Sequence, residues 1–451
     1  MNREIKFLAR RAHWLLFASA LCSNLPCHAR EAELYEQEPF NYSAATPKDG
    51  IALLKREIAD GEFKAGANDH EAVQALLRKF EIPFESQILV FSRTSFQRDR
   101  IRPDHPRAIY FNDHCYIGWV PSGLVEITTI DPVLGPMFYS FDPAAAQTNA
   151  ARSIVRDSDC LRCHGGTFVR GIPGLLARSV FPDEQGDPIL RLGGEVVDLH
   201  TQFTNRWGGW YVTGLNGKTD HRGNRLFSEK DLKTVKNETA SSDRFDVKQY
   251  LAQDSSDIVA LLVFEQQLTI QNTLTRASLA SRRMLDYQKK LQVAFKTPLT
   301  DEPEYDSVKS VFDHTAQDVV DDLLFRDEAQ LPAGLETSHA FQKAFLTSAK
   351  KASDGKSLKD LDLHGHLFQN RCSYLIYSAS FRALPPPLKR RIYSRLEHAL
   401  RLTDPDPRYA YIPKEERERI QHILRETDPE LESALISPNS NLSNTSIAQG
   451  K

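Results

Sequence analysis

The sequence is poor in cysteine and methionine, with six cysteines and three methionines in 451 residues. So few cysteines exclude a disulfide-rich scaffold. Met137 and Met284 lie in apolar segments where packing explains them, so neither is a strong metal-ligand candidate. The formal net charge of −3 and the lack of any basic block argue against nucleic-acid binding. After the N-terminus no apolar run is long enough to span a membrane.

The N-terminus has the order of a secretory signal peptide. Four basic residues, Arg3, Lys6, Arg10 and Arg11, precede an apolar run over 14–21, and small residues then lead to Ala29. This order predicts export, with cleavage after Ala29 and a periplasmic or otherwise exported location. Two alternatives are a membrane anchor, for which the run is short, and a lipoprotein attached through Cys22, which Leu21 disfavours.

The stretch Cys160-Leu161-Arg162-Cys163-His164 has the CxxCH spacing of c-type haem attachment. Two thiols three positions apart can add to the two vinyl groups of one haem, while the adjacent imidazole binds the iron as proximal ligand. The alternative, half of a zinc site, needs about two further ligands. After cleavage only the isolated Cys115 and Cys372 remain, so we expect one covalent haem c.

The ligand on the other side of the iron is less well defined by the sequence. We expect His221, less strongly His200, because both lie in the glycine- and aromatic-rich stretch after the motif; an open sixth position is the alternative. Arg206 and Arg222 are candidates for pairing with the haem propionates, and Trp207 for packing on the ring. The bend at 172–173 is a candidate source of a carbonyl that orients the proximal imidazole.

The pattern of apolar residues predicts an α+β fold that is mainly α. Runs rich in Ile, Val, Tyr and Phe predict antiparallel strands at 87–91, 107–112, 115–120, 124–130 and 137–141. Helical periodicity predicts a long helix from the N-cap at 256–257 to about residue 293. Further helices are predicted to start near Pro47 and after 68–69, and to cover 305–325, 338–350, 386–402 and 413–425.

The CLRCH stretch, together with the signal peptide, resembles c-type cytochromes. Further stretches resemble the long, single-haem cytochrome-c-domain proteins of planctomycete-type bacteria, at 107–113, 206–214 (RWGGWYVTG), 221–224 (HRGN), 256–266 and 372–378. Because these stretches cover most of the mature chain, the resemblance implies one composite protein. It also favours His221 as a site residue, and a buried thiol at Cys372 over a bond to Cys115.

We therefore expect five regions along the chain. These are a signal peptide over 1–29, N-terminal helices and antiparallel strands over 30–144, a loop-rich cytochrome c-like haem-binding region over 145–235, a helical region over 236–430 and a disordered tail over 431–451.

Two functions remain open at this point. Electron transfer to a redox partner is the first, with His221 or His200 filling the sixth position. A haem-dependent redox enzyme, peroxidase-like and with an open distal site, is the second, because the helical half is larger than a carrier needs. No Ser-His-Asp, P-loop or HExxH pattern indicates a haem-independent enzyme. A partner protein or a small-molecule oxidant or reductant is implied.

Overall fold

The computed structural model describes residues 33–148, 153–214, 219–228, 230, 234–237 and 244–431. The predicted signal peptide and almost all of the predicted C-terminal tail lie outside these residues. The strands are β1 Ile88–Val90, β2 Arg107–Phe111, β3 Cys115–Trp119, β4 Val125–Asp131, β5 Gly135–Phe141, β6 Ile154–Arg156, β7 Arg178–Val180, β8 Gly194–Val196, β9 Arg225–Phe227 and β10 Thr234–Asn237.

The helices are α1 Ile51–Ala59, α2 Asp69–Lys79, α3 Pro143–Thr148, α4 Leu161–His164, α5 Ile258–Phe295, α6 Asp306–Leu323, α7 His339–Thr347, α8 Ala379–Arg382, α9 Pro386–Leu400 and α10 Lys414–Thr427. A small antiparallel sheet therefore precedes a C-terminal helical region, and the predicted α+β class is confirmed. No helix of the described residues combines the length and the apolarity needed to cross a membrane.

Six strands form one antiparallel sheet in the order β1-β2-β3-β4-β5-β6. Side chains of a strand alternate between the two faces of a sheet, and here each face packs against different helices. Leu89, Ala108 and Tyr110 belong to the core that includes α1 and α2. Ile109 and Phe111, from alternate positions of the same strand, belong to the core that includes α5. The sheet therefore lies between N-terminal and C-terminal helices.

Helix α5 is the central element of the C-terminal half. Asp257 caps its N-terminus, and its carboxylate accepts hydrogen bonds from the backbone N–H groups of Val259 and Ala260. The first half of the helix is buried on all sides, and several of its polar side chains are hydrogen-bonded to surrounding elements. Gln271, for example, donates to Ser380 Oγ at 3.0 Å. Helix α6 packs along α5, and α9 packs on α6.

The segment between the sheet and α5 consists mostly of turns and short 3-10 helices. Among the described residues, the strands of this segment form two two-stranded pairs, β7–β8 and β9–β10. Its backbone joins the sheet, because the N–H of Tyr211 donates to Leu89 O at 2.9 Å. It also joins α5, because the side chain of Asn272 is hydrogen-bonded to the backbone of Leu175. This segment carries the CxxCH stretch.

Candidate functional site

The CxxCH stretch begins with a 3-10 turn, Ser158–Cys160, and continues as the one-turn helix α4. Asp157 starts the turn, since its carboxylate accepts from the backbone N–H of Asp159. Residues three and four apart share one side of a helical turn, so this local fold places both thiols and the imidazole on the same side. Cys163 is exposed and Cys160 half-buried, and neither forms a disulfide.

His164 is held in one orientation by the backbone. Its Nδ1 lies 2.9 Å from the carbonyl oxygen of Gly174, and the N–H of Gly174 donates back to His164 O at 2.8 Å. Because a carbonyl only accepts, Nδ1 carries the proton and Nε2 keeps its lone pair for a ligand. The ring of Phe138 lies 4.7 Å away, centroid to centroid. Burial lowers the pKa of His164, which favours the neutral imidazole.

The acceptor at Gly174 is itself fixed by its surroundings. A Cβ at this position would lie 2.8 Å from Val169 Cβ, so the close approach requires glycine. Asn272 of α5 accepts from the N–H of Leu175 at 2.7 Å and donates to its carbonyl at 2.8 Å. The central helix thereby determines the position of the loop that orients the imidazole.

A cavity of about 670 Å³ contains Cys160, Cys163 and His164 in its wall; we call it the CxxCH cavity. One face of the sheet forms the opposite part of the wall. In β4, Val125 and Ile127 are buried towards α1 and α2, whereas Glu126 and Thr128 are half-buried. The sheet residues that line the cavity from this face are Val90, Arg107, Ile109, Tyr116, Gly118, Glu126, Thr128 and Phe138. The volume lies within the usual range for a cofactor site.

The described part of the cavity wall is electropositive. Five arginines line it, Arg93, Arg98, Arg107, Arg162 and Arg178, against three acidic residues, Glu126, Asp159 and Asp187. Arg107 is paired with Glu126, and Arg93 with Asp187 at 2.7 Å. Arg178 has no carboxylate partner among the described residues, and its guanidinium lies 4.9 Å from the centroid of Phe168. This excess of positive charge suits a ligand that carries carboxylates.

The two thiols of the CxxCH stretch have different surroundings. Burial raises the pKa of the Cys160 thiol to about 12, and the negative charge of Asp157 acts in the same direction. The thiolate is the nucleophilic form of cysteine, so in the folded chain Cys160 is almost entirely the unreactive thiol near pH 7. Cys163 is exposed on the surface of α4. The two sulfur atoms therefore differ in access.

Arg206 and Trp207, candidates for contact with the haem, do not line the CxxCH cavity in the described residues. Arg206 is buried, and its Nη1 donates to Glu265 of α5 at 2.7 Å. Burial raises the pKa of Glu265 to about 7, although Arg206 acts in the opposite direction. Trp207 is also buried and contacts Phe203. Arg206 thus has its carboxylate partner inside the protein.

The predicted distal residues also lie outside this cavity wall. His221 packs edge-on against Trp207, with 5.6 Å between ring centroids, and its buried Nδ1 has no hydrogen-bond partner. Burial lowers the pKa of His221 to about 4. His200 is exposed, and its Nδ1 lies 3.1 Å from Asp327 O. Arg222 contacts Glu195 and Asn205. The structure does not bring these residues together with His164.

Neither methionine offers a sixth ligand at the CxxCH cavity. Met137 lies on the opposite face of the sheet, in the core with α1 and α2, and Met284 is half-buried on α5. His164 is the only His or Met in the described lining. The described residues contain no cluster of three or more His, Cys, Asp and Glu side chains placed to hold a metal ion. Cys115 and Cys372 are both buried and free.

Several cavity residues were not identified from the sequence. Arg178 and Phe168 lie after the motif but carry no recognisable spacing, and Phe264 is a helix residue that the sequence marks only as core. Arg107 and Glu126 could be identified from the sequence, because the side chains of a strand alternate between the two faces of the sheet. This alternation places both residues on the face opposite the most buried residues of their strands. The acceptor at Gly174 is one residue beyond the predicted bend at 172–173.

Comparison with models of known protein families, with curated proteins and with solved structures gives no significant match. The resemblance to long single-haem c-type proteins therefore remains a prediction.

Proposed function

We propose that this chain is an exported monohaem c-type cytochrome that transfers electrons. In this proposal Cys160 and Cys163 hold the haem through thioether bonds and His164 is the proximal ligand. When bound, haem would supply an iron that cycles between the ferrous and ferric states. The signal-peptide order of the N-terminus supports export, because covalent haem attachment takes place outside the bacterial cytoplasm.

The observation that carries the proposal is the hydrogen bond between His164 Nδ1 and the carbonyl of Gly174. A metal-bound histidine generally donates its other ring N–H to a carbonyl or carboxylate, which fixes the tautomer and the ring plane. Here the bond leaves Nε2 free, and both thiols line the same cavity as the ring. The residues present therefore suit a haem attached at this turn.

The remaining residues of the wall have separate roles in this proposal. Phe138, Ile109, Tyr116 and Phe264 would exclude water from an apolar ring, since all four line the cavity and are buried. Arg178, whose charge is uncompensated by any described carboxylate, is the best candidate to pair with a propionate. It replaces Arg206 in that role, because Arg206 is already paired with Glu265.

A second candidate function is supported by the composition of the lining. No second His or Met is present in the described wall, so the sixth position of an iron held by His164 would be open to water or a small ligand. An open position suits a redox reaction of a small molecule. His221 or His200, the predicted distal ligands, would have to move towards His164 to occupy that position.

The test of the proposal is covalent haem. The full chain is produced with a c-type maturation system, extracted with acid and measured as the pyridine haemochrome. We expect one haem per chain, retained in a Cys115→Ala control and lost in the Cys160→Ser/Cys163→Ser double variant. His164→Ala should keep the covalent haem but change the spectrum of the iron. A wild-type chain without covalent haem would overturn the proposal.

The same preparation distinguishes the two candidate functions. Ferric protein that binds cyanide with a shift of the Soret band, and whose starting spectrum is unchanged in His221→Phe, would support the second candidate. A low-spin ferric signal that is lost in His221→Phe, from a protein that does not bind cyanide, would instead support a six-coordinate carrier. A reversible one-electron redox titration is expected in either case.

A further inference from the structure

A second cavity, of about 930 Å³, has Phe111 in the part of its wall that faces the CxxCH cavity. It is bounded by the 3-10 turn Phe84–Ser86, by the turn between β2 and β3, and by helix α7. Phe111 lines this second cavity, while Tyr116, stacked on it at 6.4 Å between centroids, lines the CxxCH cavity. We call it the Phe84 cavity. It contains neither the cysteines nor His164.

Four phenylalanines are among the residues that line the Phe84 cavity. Phe84 is 51 % exposed and lies at the edge of the cavity. Behind it, Phe111, Phe341 and Phe345 are buried and line the same space. Aromatic rings pair favourably with another ring in offset or edge-to-face arrangements. The shape and surface therefore suit a flat aromatic ligand.

The charged groups inside the Phe84 cavity are already satisfied. Lys359 is 3 % exposed, and its Nζ donates to both carboxylate oxygens of Asp113, at 2.8 and 2.7 Å, and to Ser348 Oγ at 2.7 Å. An ammonium has three donors, so none remains for a ligand. At the rim, one arginine, Arg78, is accompanied by Glu81 and Glu85. The site therefore selects against an anion.

One polar side chain of this cavity has an unused hydrogen-bonding capacity. The ring of His114 lines the cavity from an exposed position and has no hydrogen-bond partner among the described residues, since only its backbone N–H is bonded, to Asn112 Oδ1. Partial burial of the ring lowers the pKa of His114, although Asp113 acts in the opposite direction. A neutral imidazole presents one acceptor and one donor nitrogen. The acceptor nitrogen of His114 can accept a hydrogen bond from a hydroxyl group.

We propose that the Phe84 cavity binds a neutral phenolic molecule, with its aromatic ring against Phe84 and its hydroxyl donating to His114. The aromatic wall accounts for the ring, the unpartnered imidazole for the hydroxyl, and the saturated Lys359–Asp113 pair for the absence of charge on the ligand. This site is separate from the CxxCH cavity and does not depend on the presence of haem.

The two cavities share a hydrogen-bonded wall. Tyr116 donates to Gln267 Oε1 at 3.3 Å, and Gln267 Nε2 donates to Tyr374 at 2.7 Å. Gln267 lines the Phe84 cavity, and its Nε2 also lies 3.4 Å from Asp113 Oδ1. A phenol bound at His114 is therefore separated from the CxxCH cavity by this wall, in which hydrogen-bonded polar groups extend from one cavity to the other.

The test is isothermal titration of the full-length, haem-matured chain with 2-naphthol, and in parallel with 2-methoxynaphthalene, which has the same rings but no hydroxyl proton. Two variants probe the site, His114→Leu and Phe84→Ala, both at exposed positions. His422→Leu, a partly exposed histidine outside the cavity, is the matched control. Thermal melts of each variant verify folding, and the Cys160→Ser/Cys163→Ser chain repeats the titration without haem.

We expect wild type to bind 2-naphthol with a stoichiometry of one. His114→Leu should weaken binding about fivefold, the effect of losing one neutral hydrogen bond, and Phe84→Ala by about three- to tenfold. The control variant and the haem-free chain should bind as wild type does. Absence of binding to wild type, equal binding of 2-methoxynaphthalene, or unchanged affinity in both cavity variants would each overturn the proposal. None of these results bears on covalent haem.

Discussion

At the scale of single residues, Arg206 and Glu265 form the most deeply buried ion pair among the described residues. Both side chains are almost completely buried, with 4 % and 3 % of their side-chain surface exposed, and 2.7 Å separates Arg206 Nη1 from Glu265 Oε2. Arg206 also donates to the carbonyl of Thr201. Removing one partner of such a pair leaves an uncompensated charge in a region of low dielectric constant. The ion pair therefore acts as a contact between the segment after the motif and helix α5.

Arg206→Met should lower the free energy of unfolding by about 3 kcal/mol near pH 8. The loss should be smaller at pH 5, because Glu265, whose pKa burial already raises to about 7, then becomes protonated and carries no buried charge. Urea unfolding at the two pH values measures the difference. Asp306→Ala, which removes an exposed partner of Lys309 at 3.8 Å, is the control and should change stability by less than about 0.5 kcal/mol.

The residues around the motif show how far spacing alone can define a site. Cys160, Cys163 and His164 are neighbours in sequence, so one helical turn brings them together. Arg178 and Phe264 reach the same cavity only because the sheet and α5 pack around it, and no local pattern encodes that. His221 was favoured on proximity along the chain. Its ring is instead directed into a contact with Trp207.

At the scale of elements, the N-cap of helix α5 accepts more backbone hydrogen bonds than any other helix cap among the described residues. Asp257 Oδ1 accepts from Val259 at 2.8 Å and Ala260 at 3.1 Å, and Oδ2 accepts from the N–H of Ser338 at 2.6 Å. One carboxylate therefore both begins the central helix and positions the N-terminus of α7. Its loss leaves buried backbone donors without partners.

We expect Asp257→Ala to destabilise the chain by about 2 kcal/mol, since it combines the loss of an N-cap with that of an inter-element hydrogen bond. Asp257→Asn keeps an acceptor oxygen for the helix and should cost about half as much. Thermal unfolding followed by circular dichroism compares the two. Equal melting temperatures for wild type and Asp257→Ala would contradict the structural role assigned to this residue.

The sequence predicted the regular elements closely and the short ones poorly. Helix α6 was predicted at 305–325 and is Asp306–Leu323, and β2 was predicted at 107–112 and is Arg107–Phe111. Periodicity is strong in such segments because one face is buried. Strand β6, with three residues, is too short to show alternation, and it was missed. Helix α1 begins at Ile51, four residues after Pro47, because the apolar pattern begins there.

At the scale of the whole molecule, each of the two hydrophobic cores among the described residues contains side chains from several of the predicted regions. The core that contains α5 includes Ile109 of the sheet, Leu175 of the segment after the motif and Ile392 of helix α9. The other core includes Leu76 of α2 and also Leu279 of α5. Each core therefore needs residues from both halves of the chain.

A fragment ending at residue 244 should consequently fail to fold cooperatively, because it lacks the helix that covers one face of the sheet. We expect no sigmoidal thermal transition and strong binding of a hydrophobic dye, measured against the chain from residue 30 to 431. A fragment with a cooperative melt and a dispersed proton NMR spectrum would show that the N-terminal half is an independent domain.

The hydrogen bond that orients His164 has a consequence for how the chain tolerates genetic change. Its acceptor is a main-chain oxygen ten positions downstream, not a side chain. Most single substitutions between the two residues therefore leave the acceptor in place, whereas an insertion or deletion there displaces it. Length in this loop is constrained more strongly than identity, with three glycines as exceptions. Tyr35 leaves no space for a Cβ at Gly165, and Val169 leaves none at Gly174. Gly171 has a positive φ. Diversity among related chains should therefore accumulate here as replacements rather than gaps.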